Sequence, residues 1–364
     1  MQGNGGGIPD HLIRPEVRTF STGIKEVRPG TAFGSIRSAL DQGQDIELTH
    51  TYGFAMSFYT WLKQRVATTV PVRDYSSSRR HRERLHQYQS KIWIRVSDHR
   101  AVLKGAPENP WIREFYPETP DYLIRFTDFL GLNGARQWHL RGKSFQVLNH
   151  LIHPFYGVYF PTRESHLDLF DRWLATQPAF SRAVDIGTGC GILSFIMHKH
   201  GVRKIHATDI NPNAIFSVQE DLRRLNITAG QMIFPEEADM LGSFQPESGD
   251  LVVCNPPWIP GRPLSTLDHG SYYGEGFFDR LFDILQARCP AGVQIAILFS
   301  DFAKVAGISK THPIEEALQL HHNDFHLEVY NRSPVQDKPS KRKSWIQEIR
   351  SKEHVELYVL ERKA

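Results

Sequence analysis

Cysteine is scarce in this chain: three in 364 residues, at positions 190, 254 and 289. Their odd number, and the placement of two of them inside apparent strand-and-turn motifs, argue against a disulfide framework. The expected setting is a reducing compartment, the cytoplasm. Long apolar runs are absent too. None approaches the roughly 20 residues of a membrane span, so no membrane partner is expected. Neither sign of charge dominates: 43 Lys and Arg stand against 40 Asp and Glu, a net charge of +3. A dedicated nucleic-acid binder usually carries a stronger basic bias or one basic stripe. There is no internal repeat and no signal-peptide pattern in the glycine-rich opening Met1 to Gly7.

What is present divides the chain. A length of 364 residues accommodates two domains, and 40% apolar residues suffice to bury a core. Residues 1–30 read as a flexible tail and 31–143 as an α-rich N-terminal substrate or cap domain. Within it, 34–67 has helical spacing at Phe54, Phe58 and Leu62, 76–91 is polar and basic, 92–96 suits a short strand, and 122–130 suits a helix. Residues 144–160, rich in β-branched and aromatic side chains, suggest a hairpin leading into a third segment, 144–364. There strands alternate with helices, the signature of a parallel sheet. Strands are expected at 182–186, 204–208, 231–234, 250–254 and 293–299. Phe277 to Arg288 should form an amphipathic helix, and the last two strands should run from His326 to Tyr330 and from His354 to Leu360.

Three turns in this segment carry the chemistry. The first follows Ala183-Val184-Asp185-Ile186 and reads Gly187-Thr188-Gly189-Cys190-Gly191. Glycines there let the backbone turn sharply and approach a ligand with no Cβ between. The helix expected from Ile192 presents its amino end to partial negative charge. The second turn follows Asp209, 18 residues after Gly191. That is close to the roughly 20-residue spacing at which an acid meets a ribose diol in nucleotide-binding βαβ units. The alternative role for Asp209 is a helix cap, which Asn211 could take over instead. The third turn is Asn255-Pro256-Pro257-Trp258, after the apolar run Leu251 to Cys254. Two prolines fix φ and remove two donors, but their carbonyls still accept. A flat group bearing N–H would meet two acceptors, the Asn255 side-chain oxygen and the Pro256 carbonyl, beside an indole. The plainer alternative is a rigid turn with Trp258 in the core. Ligands of open α/β sheets bind at the carboxyl ends of the strands, so the three turns are candidates for one site.

These motifs resemble those of class I S-adenosylmethionine-dependent methyltransferases, and more narrowly the Asn-Pro-Pro-aromatic group that methylates nitrogens of planar substrates. That group includes enzymes acting on adenine amines, on glutamine in translation factors and ribosomal proteins, and on ribosomal RNA guanine. Tyr156-Gly157-Val158-Tyr159-Phe160-Pro161-Thr162-Arg163-Glu164 is similar to the family's Pro-Arg-Pro-Glu-Thr entry, with Thr162 before the arginine. The resemblance spans residues 150–364 and is strongest to 258. It implies a seven-stranded, doubly wound, Rossmann-like α/β sheet with an antiparallel last strand. It implies S-adenosyl-L-methionine as cofactor, contacted by Phe160, Pro161, Thr162, Asp185, Gly187, Thr188, Gly189, Gly191, Asp209, Ile210, Asp239 and Asn255. In that scheme Asp185 reaches the aminoacyl end, Asp209 the ribose and Asp239 the adenine amine.

For catalysis the resemblance implies Asn255, Pro256 and Trp258. An amide takes no proton near neutral pH, so Asn255 would align the reacting nitrogen by accepting its N–H. Trp258 would stack on the acceptor or lie by the cationic sulfur; the commoner family residues there are Tyr and Phe. Asp268 to Phe277 resembles the glycine-rich segment of the glutamine methyltransferases, so His269, Tyr272 and Tyr273, with Trp258, are candidate acceptor contacts. No metal is expected: His321, His322 and His326 have no second ligand cluster near them in sequence. The basic runs 79–84 and 338–343 read as solvated faces. The modest charge slightly favours a small-molecule acceptor over a protein glutamine or RNA. A second reading keeps the cofactor but uses its aminocarboxypropyl arm, as in cyclisation to azetidine-2-carboxylate with release of methylthioadenosine. A third is a binding module without catalysis. The sequence leaves the oligomeric state open.

Overall fold

The structure is a computed structural model that describes residues 8–20, 23–227, 232–263, 268, 270–335 and 345–364. It divides into two compact units, Met1–Gln137 and Trp138–Ala364.

The first unit holds strands β1 (Val17–Arg18), β2 (Lys25–Val27), β3 (Ile46–Leu48), β4 (Ile92–Ser97), β5 (Arg100–Ala101) and β6 (Tyr122–Arg125). Its helices are α1 (Phe33–Asp41), α2 (Tyr52–Thr69), α3 (Tyr75–Gln89), α4 (Trp111–Phe115) and α5 (Phe126–Arg141), the last running past the unit boundary. The strands form one mixed sheet in the order β1-β6-β4-β3-β2, with β5 on β4. Helical residues outnumber strand residues, but the sheet organises them. The tail expected over residues 1–30 contains β1 and β2, with Leu12 and Val27 buried. The helix expected over 34–67 is two helices with β3 between them, and Tyr122–Arg125 is a strand that precedes its helix. Very short strands flanked by polar residues give too little period-2 signal to be read. At the sheet's centre the fully buried Trp93 ring has the guanidinium of Arg18 at 4.3 Å and that of Arg125 at 5.2 Å.

In the second unit, β7 (Lys143–Ser144) pairs antiparallel with β8 (Leu151–Ile152), the expected hairpin in a short form. The main elements follow: α6 (Ser165–Leu174), β9 (Arg182–Ile186), α7 (Ile192–Lys199), β10 (Lys204–Asp209), α8 (Pro212–Arg224), β11 (Ile233–Glu237), β12 (Leu251–Cys254), β13 (Ile259–Pro260) and β14 (Tyr272–Tyr273). Then come α9 (Phe277–Arg288), β15 (Gln294–Ser300), α10 (Phe302–Val305), α11 (Pro313–Leu320), β16 (Phe325–Pro334), α12 (Trp345–Arg350) and β17 (His354–Arg362). Seven strands make one sheet in the order β11-β10-β9-β12-β15-β17-β16. The pairs from β11 to β15 are parallel, and β17 runs antiparallel to both neighbours. This is the doubly wound, Rossmann-like α/β sheet expected from the motifs.

Strand alternation explains why both faces are covered. Val184, Ile186, Val252, Cys254, Ile295, Ile297 and Phe299 point to one side, where they pack with Leu281, Phe282 and Leu285 of α9 and Ile314 of α11. The intervening Ala183, Asp185, Leu251, Val253, Ala296 and Leu298 are buried as well. Near-continuous apolar runs of this kind are what a parallel sheet with two covered faces requires. Cys190, Cys254 and Cys289 are free and buried. Among the described residues no helix is long and apolar enough to cross a membrane.

Candidate active site

Strand register brings the three turns together. In the ladder, Ile186 of β9 lies opposite Thr208 of β10 on one side and Cys254 of β12 on the other. The residues that follow, Gly187, Asp209 and Asn255, therefore emerge side by side at the carboxyl edge, with neighbouring strands about 4.8 Å apart. Glu237, the last residue of β11, pairs with Asp209 and carries the chain on to Asp239.

The first turn is built around a buried carboxylate. Asp185 is 1% exposed. One oxygen, Oδ2, accepts from Thr188 Oγ1 at 2.7 Å, Ser194 Oγ at 2.7 Å and the Ser194 amide at 3.1 Å. The other, Oδ1, is buried and has no hydrogen-bond partner. Burial pushes the Asp185 pKa up to about 6, against the pull of the Ser194 and Thr188 hydrogen bonds. A buried acceptor without a donor is costly, so an unmatched oxygen at a strand end points to a ligand that supplies one.

The glycines divide by role. Gly187 has φ +69°, and a Cβ built there would meet nothing within 4 Å, so the space above it is open. At Gly189 a Cβ would come within 3.2 Å of the Tyr159 carbonyl. At Gly191, with φ +80°, it would press on Val218 at 2.9 Å and Phe195 at 3.0 Å. A side chain at Gly191 would thus disturb the packing of α7 and α8. Gly191 is the N-cap residue of α7, in the left-handed conformation.

Asp209 anchors the second turn. Its Oδ2 accepts from the Gly189 amide at 2.9 Å and its Oδ1 from the Asn211 amide at 2.8 Å, so each oxygen keeps further accepting capacity. Burial raises its pKa, opposed by those two bonds. Asn211 takes the capping role: its side chain accepts from the Asn213 amide and donates to the Gly157 carbonyl. That frees Asp209 from capping and ties the 156–157 segment to the sheet edge. Ile210 is 65% exposed directly beside it, an apolar surface with no protein cover. The Asp239 carboxylate is half-exposed and ion-paired to Arg280.

The third turn forms one wall of a cavity of about 210 Å³. Asn255, Pro256 and Trp258 line it, along with Pro161, Thr162, Arg163 and His166 from the entry to α6, Gly270 and Ser271 from the downstream loop, and Arg350 of α12. Trp258 Nε1 donates to Asn255 Oδ1 at 3.0 Å. The indole therefore fixes which way the Asn255 amide points, a role that neither stacking nor sulfur contact anticipated. Arg350 is matched by the fully buried Glu353, with Nη1 at 2.8 and 2.6 Å from its two oxygens.

Phe160, Tyr272 and Tyr273 lie outside the lining of this cavity. Phe160 packs on Trp138, ring centroids 5.5 Å apart, and is not part of the cavity lining. Tyr273, half-buried, packs edge-on against Phe278 of the core at 5.0 Å, while Tyr272 is buried in the β13–β14 pair. Neither tyrosine is in the cavity lining, which takes Gly270 and Ser271 instead. His269 and the basic run 338–343 lie outside the described residues. Sequence reasoning missed His166 and Arg350. His166 follows the entry motif by two residues, but nothing in its neighbourhood marks it. Arg350 reaches the cavity from more than 90 residues beyond Trp258.

Residues 168–267 match the family model described as "Methyltransferase small domain". A provisionally named protein N5-glutamine methyltransferase of Methanocaldococcus jannaschii is 30% identical over 139 residues, which are 36% of this chain and 68% of that protein. The chain belongs to the class I S-adenosylmethionine-dependent methyltransferases. A release factor glutamine methyltransferase of Moorella thermoacetica is 33% identical over 84 residues, 23% of this chain and 29% of that one. The match to a ribosomal protein L11 methyltransferase of Lachnospira eligens is 33% over 103 residues, 25% and 31% of the two chains. This chain thus spans less than a third of the length of those last two relatives. A ribosomal protein L11 methylase structure from Lactobacillus delbrueckii subsp. bulgaricus, 19% identical, covers 61% of this chain and 92% of its own with a TM-score of 0.37.

The site's own features fit the family's cofactor: an unmatched buried oxygen on Asp185, open space over Gly187, spare acceptors on Asp209 and a bare apolar face at Ile210. Two outcomes follow. Removing the Asp209 carboxylate deletes acceptors for two hydroxyl donors, each charge-assisted bond worth about 1.5–3 kcal/mol. Asp209→Ala should bind S-adenosylmethionine at least about tenfold more weakly by calorimetry, with an unchanged circular dichroism spectrum; unchanged affinity would remove this turn from the site. The second outcome concerns pH. Below its ordinary pKa of 3.8 Asp185 is protonated both folded and unfolded. As pH rises towards about 6 the unfolded chain loses this proton first, so the stability present at low pH is lost through that window. About two pH units correspond to a loss on the order of 3 kcal/mol. Urea midpoints of the cofactor-free chain should therefore fall, relative to Asp185→Asn, between pH 4 and pH 6, and parallel curves for the two proteins would contradict the assignment.

Proposed function

We propose that this chain transfers the methyl group of S-adenosylmethionine to a planar amide nitrogen presented by a protein. The observation that carries this reading is the Asn255-Pro256-Pro257-Trp258 turn, which lines a cavity at the carboxyl edge of the sheet with its amide oriented by an indole N–H.

When bound, S-adenosylmethionine supplies a methyl group already activated by its sulfonium. The chain's residues have to hold, aim and shield. Asp209 offers its carboxylate to the ribose hydroxyls and Ile210 its exposed face to the adenine, with Asp239 close by at the same edge. Asp185 Oδ1 accepts from the ammonium of the aminoacyl arm, a cation that would also favour its ionised form. Gly187 and Thr188 leave the approach open, Gly189 brings the backbone close, and Pro161 and Thr162 border the reacting end. On the acceptor side, the remaining lone pair of Asn255 Oδ1 and the Pro256 carbonyl take N–H groups of the acceptor. That fixes the plane of the nitrogen and points its lone pair along the line of displacement. Neither group removes a proton, and the proton displaced from the methylated nitrogen passes to solvent water; the work of the two groups is alignment, realised most fully in the transition state.

Cavity size supports an acceptor group offered by a larger molecule. At about 210 Å³ the space is below the roughly 300–1,000 Å³ that encloses a drug-sized ligand. The relatives named as glutamine and ribosomal-protein methyltransferases point the same way, and they move the preference from a small molecule to a protein.

The test uses isotopically labelled methyl groups. The chain and labelled S-adenosylmethionine are incubated with cell extract separated into protein, RNA and small-molecule fractions. Label on nitrogen in the protein fraction, with S-adenosylhomocysteine formed only when that fraction is present, is the expected result. Label in RNA or small molecules would replace the acceptor class, and methylthioadenosine released without any acceptor would replace methyl transfer by use of the aminocarboxypropyl arm. In single-turnover measurements Asn255→Ala should slow transfer by about 10²–10³ with little change in cofactor affinity. Asn255→Asp, which keeps an acceptor oxygen, should retain partial activity. Wild-type rates in Asn255→Ala would reduce the turn to a rigid connector.

A further inference from the structure

The wall of the cavity facing Trp258 is a histidine that no motif marks. His166 lies in the first turn of α6 and is 2% exposed. Its ring meets the Trp258 indole edge-to-face, centroids 5.1 Å apart at 87°, and lines the same cavity as Asn255 and Pro256. Neither Nδ1 nor Nε2 has a hydrogen-bond partner. A neutral imidazole carries one N–H donor and one lone-pair acceptor, and buried groups of this kind are nearly always satisfied.

We infer that His166 is an acceptor-contacting residue: its ring N–H completes a hydrogen bond with the group that enters the cavity, alongside the acceptors supplied by Asn255 and Pro256. The inference rests on the reading of this cavity as the acceptor pocket and adds the donor that reading lacks. Asn255 Oδ1 and the Pro256 carbonyl can only accept, so they match the N–H side of a planar amide. The other side of that amide is a carbonyl oxygen, which needs a donor, and a neutral imidazole N–H supplies one. Burial keeps the ring neutral, with its pKa pushed down to about 3, so it stays a hydrogen-bonding group across the physiological range and is a poor proton acceptor. The edge-to-face contact ties its orientation to Trp258, and Trp258 in turn orients Asn255. The three side chains act as one recognition unit, His166 offering a donor and Asn255 an acceptor to the group in the cavity.

The test observes the ring directly and needs no identified acceptor. The whole chain, carrying ¹⁵N-labelled histidine and asparagine and saturated with S-adenosylhomocysteine, is titrated with acetamide as the probe. His166→Gln and Asn255→Ala assign the signals. Saturable shifts of both the His166 ring nitrogens and the Asn255 side-chain amide are expected, with acetamide bound at least about fivefold more weakly by His166→Leu than by wild type. His166→Gln, which retains a donor, should recover part of that loss. If the Asn255 signals move and the His166 ring does not, the inference is wrong while the amide-site reading stands. If neither moves in protein that binds S-adenosylhomocysteine, the amide-site reading fails and takes the inference with it.

Discussion

The parallel pairing of β9 between β10 and β12 is the constraint on which the rest of the site depends. Because Ile186 stands opposite both Thr208 and Cys254, the turn glycine, the Asp209 carboxylate and the Asn255 amide leave the sheet at one level. A slip of one residue in either pairing would turn a buried apolar face towards the wrong layer, so the core enforces the register that aligns the chemistry. Gly191 fits the same packing, since its missing side chain leaves room for Val218 of α8 and for Phe195 of α7 itself. That packing also explains why Asn211 caps α8, leaving the neighbouring carboxylate its spare lone pairs.

The two halves of the site differ in how they are held. The cofactor side is an unbalanced electrostatic arrangement. Asp185 gives one oxygen three donors and the other none, and Asp209 sits buried with two backbone donors. Such groups destabilise the protein, and a cationic or hydroxyl-bearing ligand that supplied the missing donors would offset that cost. The proposed acceptor side is a chain of oriented contacts, running from His166 through Trp258 to Asn255. An indole there does what a phenylalanine cannot, because its N–H selects the direction of the amide.

Much of the second unit was legible in the sequence because its signals are local. The apolar runs ending at Ile186, Asp209 and Cys254 gave strands within a residue or two of their ends, and Phe277–Arg288 is the helix its spacing announces. The acceptor side was less legible. Tyr272 and Tyr273 look like pocket residues in sequence, yet β14 packs the half-buried Tyr273 against Phe278 at the edge of the core. His166 and Arg350 enter the cavity only through tertiary packing and carry no periodic or motif signal. In the first unit, strands of two and three residues such as Val17–Arg18 and Ile46–Leu48 are set by the sheet they join, not by their own pattern.

The central claim is that the carboxyl ends of β9, β10 and β12 form one cofactor seat facing the Asn255 cavity. A crystal structure of the complex with S-adenosylhomocysteine tests it most directly. The account predicts both ribose hydroxyls on the Asp209 carboxylate, the amino group within hydrogen-bond distance of Asp185 Oδ1, and the sulfur directed towards Asn255 and Trp258. Ligand density anywhere else, for example in the pocket between His99 and Glu114 of the first unit, would contradict it.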